Sequence, residues 1–541
     1  MKKIRILALI LCLFIAGGTL SGCKQKTPDT EQTLEIFTLF KGYGVEWVDV
    51  LVEEFKKQDW VKEKYPNLEI VTDSNGIDST PHNYMSMGQA ANTVDLMFSS
   101  ALKGYAGNSQ VLDLTECVYN STVPGEEQTV IGKMFEYIAD SNKYLDVKTG
   151  ETRYYTMSYV NGITGILYNE DLMGTLGLDL PLTTDMFLEE MESVKGMSNA
   201  AYPYTYSIMA SANTGYWYPM FSTWWAQYEG MEEYENFYKG IYDGSRSNDI
   251  FRQEGRKESL MVLEDIFDYD HHYLYPDAMT VEYDVAQTNF LAGNGLFHCN
   301  GDYFITEMEL IREELKNQGI DYTIKYMKTP VISSIVDRLP SVKKAAAARN
   351  ISDDEMLRLL IADIDDDVMT CAYTADGVTQ TDYKSLAEAR NMTQSFAGLS
   401  GMIPSYATGR EVAVDFLRFM ATDIAYEAVI KETKGMMLPF KYDIKEKNPE
   451  IYASLDPAQQ VKVDLFNSDG FPIAIVAPYD SFDLGRVGLT PLASSESNGK
   501  VAFEAVFGSE GNQETAESIW QKDIDYWNET RWQQLLGMAG M

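Results

Sequence analysis

The chain has 541 residues, 45% of them hydrophobic, with 81 acidic side chains against 44 Lys and Arg and a formal net charge of -37. That length is too great for one hydrophobic core and suits two or three domains, of which two large lobes are the natural arrangement. The acid excess argues against nucleic acid as a partner, because phosphate binding requires clustered Lys and Arg, and it disfavours docking on anionic lipid.

Lys2, Lys3 and Arg5 make a positive start, and Ile6 to Ala16 an apolar stretch of about eleven residues. Small residues then lead into Leu20-Ser21-Gly22-Cys23. This is the layout of a cleaved export signal. A helix needs about 20 apolar residues to span a bilayer, so the stretch is too short to stay as an anchor. The four residues ending in Cys23 resemble the lipobox of bacterial lipoproteins, in which the leader is cut before the cysteine and the thiol carries a diacylglycerol. Residues 1–22 are then a signal peptide and 23–32 a lipidated tether, with Lys24 to Thr30 solvated. The body is expected on the extracellular face of the cell membrane, held there only by acyl chains. The acidic surface suits the outer face of a single-membrane cell.

Thr33 to Leu39 alternates and is rich in β-branched and aromatic residues, so it reads as a strand, closed by a turn at Lys41-Gly42-Tyr43-Gly44. Val48, Leu51, Val52 and Phe55 recur at helical spacing in the next segment. Leu68 to Thr72 is a second strand, Tyr84 to Ala91 a short helix, and Val94 to Phe98 a third strand ending at Ser99 and Ser100. Strands alternating with helices imply an α/β fold with a mainly parallel sheet. Ligands of such sheets sit beyond the carboxyl ends of the strands, here the loops at 40–43 and 99–101. Tyr154 to Asn169 is an extended run broken at Asn161-Gly162, read as a crossing between lobes, and Glu170 opens a helix. Asp185 to Val194 is amphipathic, and Thr214 to Glu235 gathers Trp217, Trp224 and Trp225 among five further aromatic residues. Phe290 to Tyr303 holds a helix end, a strand and a turn, and Tyr322 to Met327 and Ala397 to Ile403 are strands at further crossings. Arg410 to Ala421, Ile424 to Thr433 and Ala516 to Leu536 read as helices of the second lobe. The expected division is 33–157 in the first lobe, 158–325 in the second, 326–400 back in the first with an acidic insertion at 351–391, and 401–541 in the second.

Motifs for catalysis or metal are few. Cys12 leaves with the leader and Cys23 carries lipid, so Cys117, Cys299 and Cys371 remain, an odd and widely spaced trio without a disulfide framework or CxxC spacing. His82, His271, His272 and His298 show no HExxH pattern. Asp363-Ile364-Asp365-Asp366-Asp367 alternates carboxylates as calcium loops do, but Val368 stands where such a loop needs Gly and Thr374 where it needs Glu. No metal and no cofactor is expected.

Four stretches carry a resemblance across almost the whole mature chain: the opening strand and helix; GITGILYNEDLMGTLGL followed by PLTTDMFLEEM; AGNGLFHCNGDYF; and the run from Phe396 to Pro439 that contains GREVAVDFLRFMATDIAYEAVIKETKGMMLP. In this order they resemble the family 1 extracellular solute-binding proteins of carbohydrate importers of the ATP-binding-cassette class, the maltose-binding-protein group. WNETRWQQLL is similar to the helix that often closes such proteins. The resemblance implies a two-lobed α/β fold of the periplasmic-binding-protein type, each lobe a mixed or mainly parallel sheet flanked by helices, with several crossings and a ligand cleft between. It implies a carbohydrate ligand, closure by hinge bending, membrane permease subunits with a cytoplasmic ATPase as partners, and a monomer without catalytic residues. The chain is longer than typical members, and 351–391 has no counterpart in them.

A sugar offers apolar C–H faces and a rim of hydroxyls, so its site combines flat rings with polar groups at the edge. The family's stacking positions match Trp217 and Tyr303, each of which core packing would also explain. Trp224 and Trp225 point in different directions on a helix, so at most one faces the cleft. Lys41, Tyr43, Ser99 and Ser100 occupy the first-lobe loops that reach the ligand. Tyr159 and Asn161 can supply a phenol and an amide near the first crossing, or Asn161-Gly162 only bends the hinge. Asp302 can accept sugar hydroxyls or cap a helix. Two other classes fit the same features: a lipid-anchored glycoside hydrolase, since aromatic clefts and paired carboxylates serve both, and a surface protein of this fold that senses its ligand.

Overall fold

The computed structural model describes residues 32–541 apart from 40–41, 77–78, 101, 147–148, 197–215, 276–280, 397, 469, 491 and 493–513. The leader, Cys23 and Lys41 therefore lie outside the described residues. Two sheets are built from strands β1 (Thr33–Leu39), β2 (Glu69–Gly76), β3 (Leu96–Ser99), β4 (Met157–Ser158), β5 (Gly162–Asn169), β6 (Phe297–Gly301), β7 (Ile324–Met327), β8 (Met392–Phe396), β9 (Ser400–Met402) and β10 (Ala474–Val476).

The first sheet has the order β2-β1-β3-β9-β4. β1 pairs in parallel with β2 and β3, as expected for strands joined through helices, and β9 enters antiparallel between β3 and β4. The helix Glu46–Lys57 lays Trp47, Val48, Leu51, Val52 and Phe55 on this sheet. Phe55 meets Phe416 and Phe419 edge-on or tilted at 5.3 and 5.5 Å, which joins the helix Arg410–Phe419 to the same core.

The second sheet is organised around β5, whose eight residues are all buried. β6 runs antiparallel along one edge, while β7 and β8 share the other, and β10 follows β8 in parallel. A strand buried on both faces needs partners on both edges, because an unpaired backbone group costs free energy away from water. This requirement explains a difference from the expected division. Residues 326–396 do not return to the first lobe: β7 and β8 stay on β5, and Val342, Leu357, Leu360, Ile361 and Leu386 of the intervening helices pack into the second core. Conversely, residues 403–444 pack in the first core through Ile403, Val412, Phe416, Val429, Leu438 and Ile444. Beyond 471 the chain returns to the second core, where the helices Ala516–Tyr526 and Glu529–Met538 close it.

Among the described residues the chain passes between lobes at 159–161, between Phe396 and Ser400, and after the helix Pro457–Phe466. The first two crossings run alongside each other: Ser158 faces Ser400, Phe396 faces Gly162, and Tyr159 N–H donates to Leu399 C=O at 3.3 Å. Among the described residues, no helix is long and apolar enough to cross a membrane.

Candidate functional site

The loop after β1 and the turn after β6 meet beside the first two crossings, at the carboxyl ends of the two strands. Tyr43 comes from the first, Asp302 and Tyr303 from the second. The Tyr43 hydroxyl donates to Asp302 Oδ1, and the two tyrosine rings stand edge-on at 6.0 Å. Phe396, at the end of β8, lies 5.1 Å from the Tyr303 ring, and the Tyr216 hydroxyl shares a hydrogen bond with that of Tyr303. Burial, then the neighbouring hydroxyl and carboxylate groups, raise the Tyr303 phenol well above its ordinary value, and burial pushes Tyr216 up to about 12. Both are neutral hydroxyls at neutral pH.

Asp302 is wholly buried and fully engaged. Its Oδ2 takes the ammonium of Lys462, itself without exposure, and its carbonyl accepts from Gln459 Nε2 at 2.7 Å. Its backbone N–H donates to Ile163 C=O at 3.0 Å. Lys462 also donates to Gly435 C=O at 2.8 Å. Burial lowers the Lys462 ammonium below its usual range in spite of the carboxylate, and burial, then Asp302, raises the Tyr43 phenol. Two glycines make this approach possible. A Cβ on Gly162 would lie 2.6 Å from the Tyr43 hydroxyl and 3.0 Å from Asp302 Oδ1; one on Gly435, at φ +145°, would run into the Gln459 side chain.

Polar groups line the adjoining strand ends. Ser99, Ser400 and Ser158 sit side by side across β3, β9 and β4. Ser99 Oγ, Ser400 Oγ and Asn161 Nδ2 are buried without a hydrogen-bond partner among the described residues. Asn161 Oδ1 accepts from the Tyr137 hydroxyl, and Ser100 is half-buried just beyond β3.

Tyr159, Trp224 and Trp225 are turned into the cores instead. Tyr159 stacks on Trp47 at 4.5 Å inside the first core. Trp224 and Trp225 have no exposure; their indole N–H groups donate to Pro330 C=O at 3.0 Å and Gln253 Oε1 at 2.9 Å, so neither ring face reaches the cleft. Trp217 is buried beside Phe221 at 5.7 Å, next in sequence to Tyr216. In the aspartate run, Asp365 grips Arg390 through Nε and Nη2 and Lys328 at 2.9 Å. Burial raises that carboxyl, and Arg390 and Lys328 outweigh the burial to hold it below the usual range.

Lys462, Gln459, Phe396, Tyr216 and Tyr137 were not anticipated. One signal existed for the first two. Ala458, Gln459, Lys462 and Val463 form the buried face of the helix Pro457–Phe466 at helical spacing, which puts a lysine where an apolar residue is expected.

With its two five-stranded sheets in two lobes, the chain has the fold of the extracellular solute-binding proteins. The chain is similar to RafE from Streptococcus pneumoniae (12% identity, 93% of this chain and 99% of that one, TM-score 0.56). It is similar also to the ABC substrate-binding protein Lmo0181 from Listeria monocytogenes in complex with cycloalternan (13%, 94% and 99%, TM-score 0.55). A third such structure is a family 1 extracellular solute-binding protein from Bifidobacterium longum subsp. infantis (12%, 92% and 98%, TM-score 0.51). No protein-family model and no curated protein sequence matches the chain.

Proposed function

We propose that the protein captures a carbohydrate between its lobes, closes by hinge bending and delivers the ligand to an ATP-binding-cassette importer, while Cys23 holds it by lipid on the outer face of the membrane. The observation that carries this reading is the junction itself: aromatic rings and neutral hydroxyls, with the Asp302 carboxylate already taken by Tyr43 and Lys462, suit an uncharged polyhydroxylated guest rather than an ion. The fold likeness supports it, since RafE and Lmo0181 have been solved with raffinose and cycloalternan. Trp217 and Tyr303 are the proposed stacking rings, and Ser99, Ser100, Asn161 and Lys41 the proposed polar edge. Capture needs differential affinity for the closed form and no bond cleavage.

A thermal-shift screen against a broad glycan panel tests this, with the same incubations assayed for product. A shift without product is the expected outcome; cleavage of any glycan sinks the reading in favour of a hydrolase. With a ligand in hand, Trp217→Ala and Tyr303→Ala are each expected to weaken binding by about 1–3 kcal/mol.

A further inference from the structure

Asp302 receives a hydroxyl from Tyr43 and an ammonium from Lys462, and Lys462 reaches on to Gly435. Tyr43 packs in the first core, and Gly435 follows the first-lobe helix Asp423–Glu432; Asp302 directly follows a strand of the second sheet. Lys462 sits on the helix that leads into the third crossing, Gly162 opens the strand after the first crossing, and Phe396 precedes the second. One carboxylate is therefore tied to both lobes beside the first two crossings, by a lysine of the helix that leads into the third, and its side chain has no exposure.

We propose that Tyr43, Asp302 and Lys462 form a latch that holds the lobes at a set angle before any ligand arrives. Lys462 is the positioning residue. It fixes the carboxylate so that Oδ1 points at the Tyr43 hydroxyl, and rotation of one lobe away from the other breaks that bond. On this account Asp302 serves the hinge and not the sugar: its oxygens are occupied, and a ligand hydroxyl would have to displace Tyr43 or a buried ammonium. Closure then costs the ligand less, because the joined arrangement is already populated. Only the consequence for affinity rests on the capture function proposed above.

The test needs no ligand. Spin labels at Asp59→Cys and Leu310→Cys, both exposed and on different lobes, in a Cys117→Ser background, report the interlobe distance by pulsed dipolar spectroscopy. Tyr43→Phe removes one hydroxyl and is expected to fold, with circular dichroism as the check; its distance distribution should broaden and move to longer separations. Replacing the pair together, Asp302→Leu with Lys462→Met, should do the same without stranding a buried charge. Distributions that match the parent overturn the latch. Once a sugar is confirmed, Tyr43→Phe should weaken all bound sugars about equally, by roughly tenfold, the scale of one hydrogen bond to a charged group. A loss confined to certain sugars with unchanged distances overturns the proposal and makes Tyr43 a ligand contact. Failure to find any sugar leaves the distance result standing, so the two readings fail separately.

Discussion

Among single residues, the buried ones with charge have the largest expected effects. Asp302→Asn leaves the Lys462 ammonium at zero exposure without its carboxylate, which should cost about 3–5 kcal/mol in urea unfolding, and changing both partners to apolar residues should recover most of that. If single and double variants lose equal stability, the ion pair is not what holds this junction. Glu190 gives a pH-dependent case. Burial first, then Asp179, raise its carboxyl from 4.5 to about 8, and Oε2 has no partner among the described residues. Between those values the folded chain keeps a proton that the unfolded chain has released. Stability therefore falls as pH rises from 4.5 to 8 and levels off above. Glu190→Gln should flatten that part of the stability curve, and a curve as steep as the parent's would assign the slope elsewhere.

At the scale of elements, local chemistry explains where helices begin and end. Ser352 and Glu355 form a capping box at the start of the helix Asp353–Asp365; Ser352→Ala should lower stability by about 1 kcal/mol, read from the denaturation midpoint. The helix Ala516–Tyr526 is pinned by Asp523, which pairs with Arg256 beneath the rings of Trp225, Phe237 and Phe251. Asp523→Ala should cost about 3–5 kcal/mol, because the guanidinium remains in that apolar cage without its counter-ion. Element identity was largely legible beforehand: β1 occupies the residues its alternation suggests, and β5 begins at the Gly162 that interrupts the extended run. The single helix expected over 516–536 is two, separated at Trp527, with Asn528 accepting from Arg531 N–H as the cap of the second. Asn528 is a readable start signal, overridden by the apolar periodicity on both sides of it.

For the whole molecule, a net charge of -37 means that the compact state repels itself. Raising ionic strength from about 0.01 M to 0.15 M shortens the screening length from roughly 30 to 8 Å, so the melting temperature should rise over that range. An unchanged or falling value would mean that the ion pairs, which salt also weakens, dominate. The division into lobes was the least legible feature. Periodicity shows which face of Ile324–Met327 or Arg410–Phe419 is buried, but not which sheet it is buried against. The junction was half legible: Tyr43, Asp302 and Tyr303 stand in loops at strand ends, whereas Lys462 joins them over 160 residues of chain separation. That lysine offers a use beyond stability. An amine-acylating reagent cannot touch Lys462 while it is sealed from water, so the rate at which it becomes modified, followed by peptide mass spectrometry, acts as a clock for how often the two halves part.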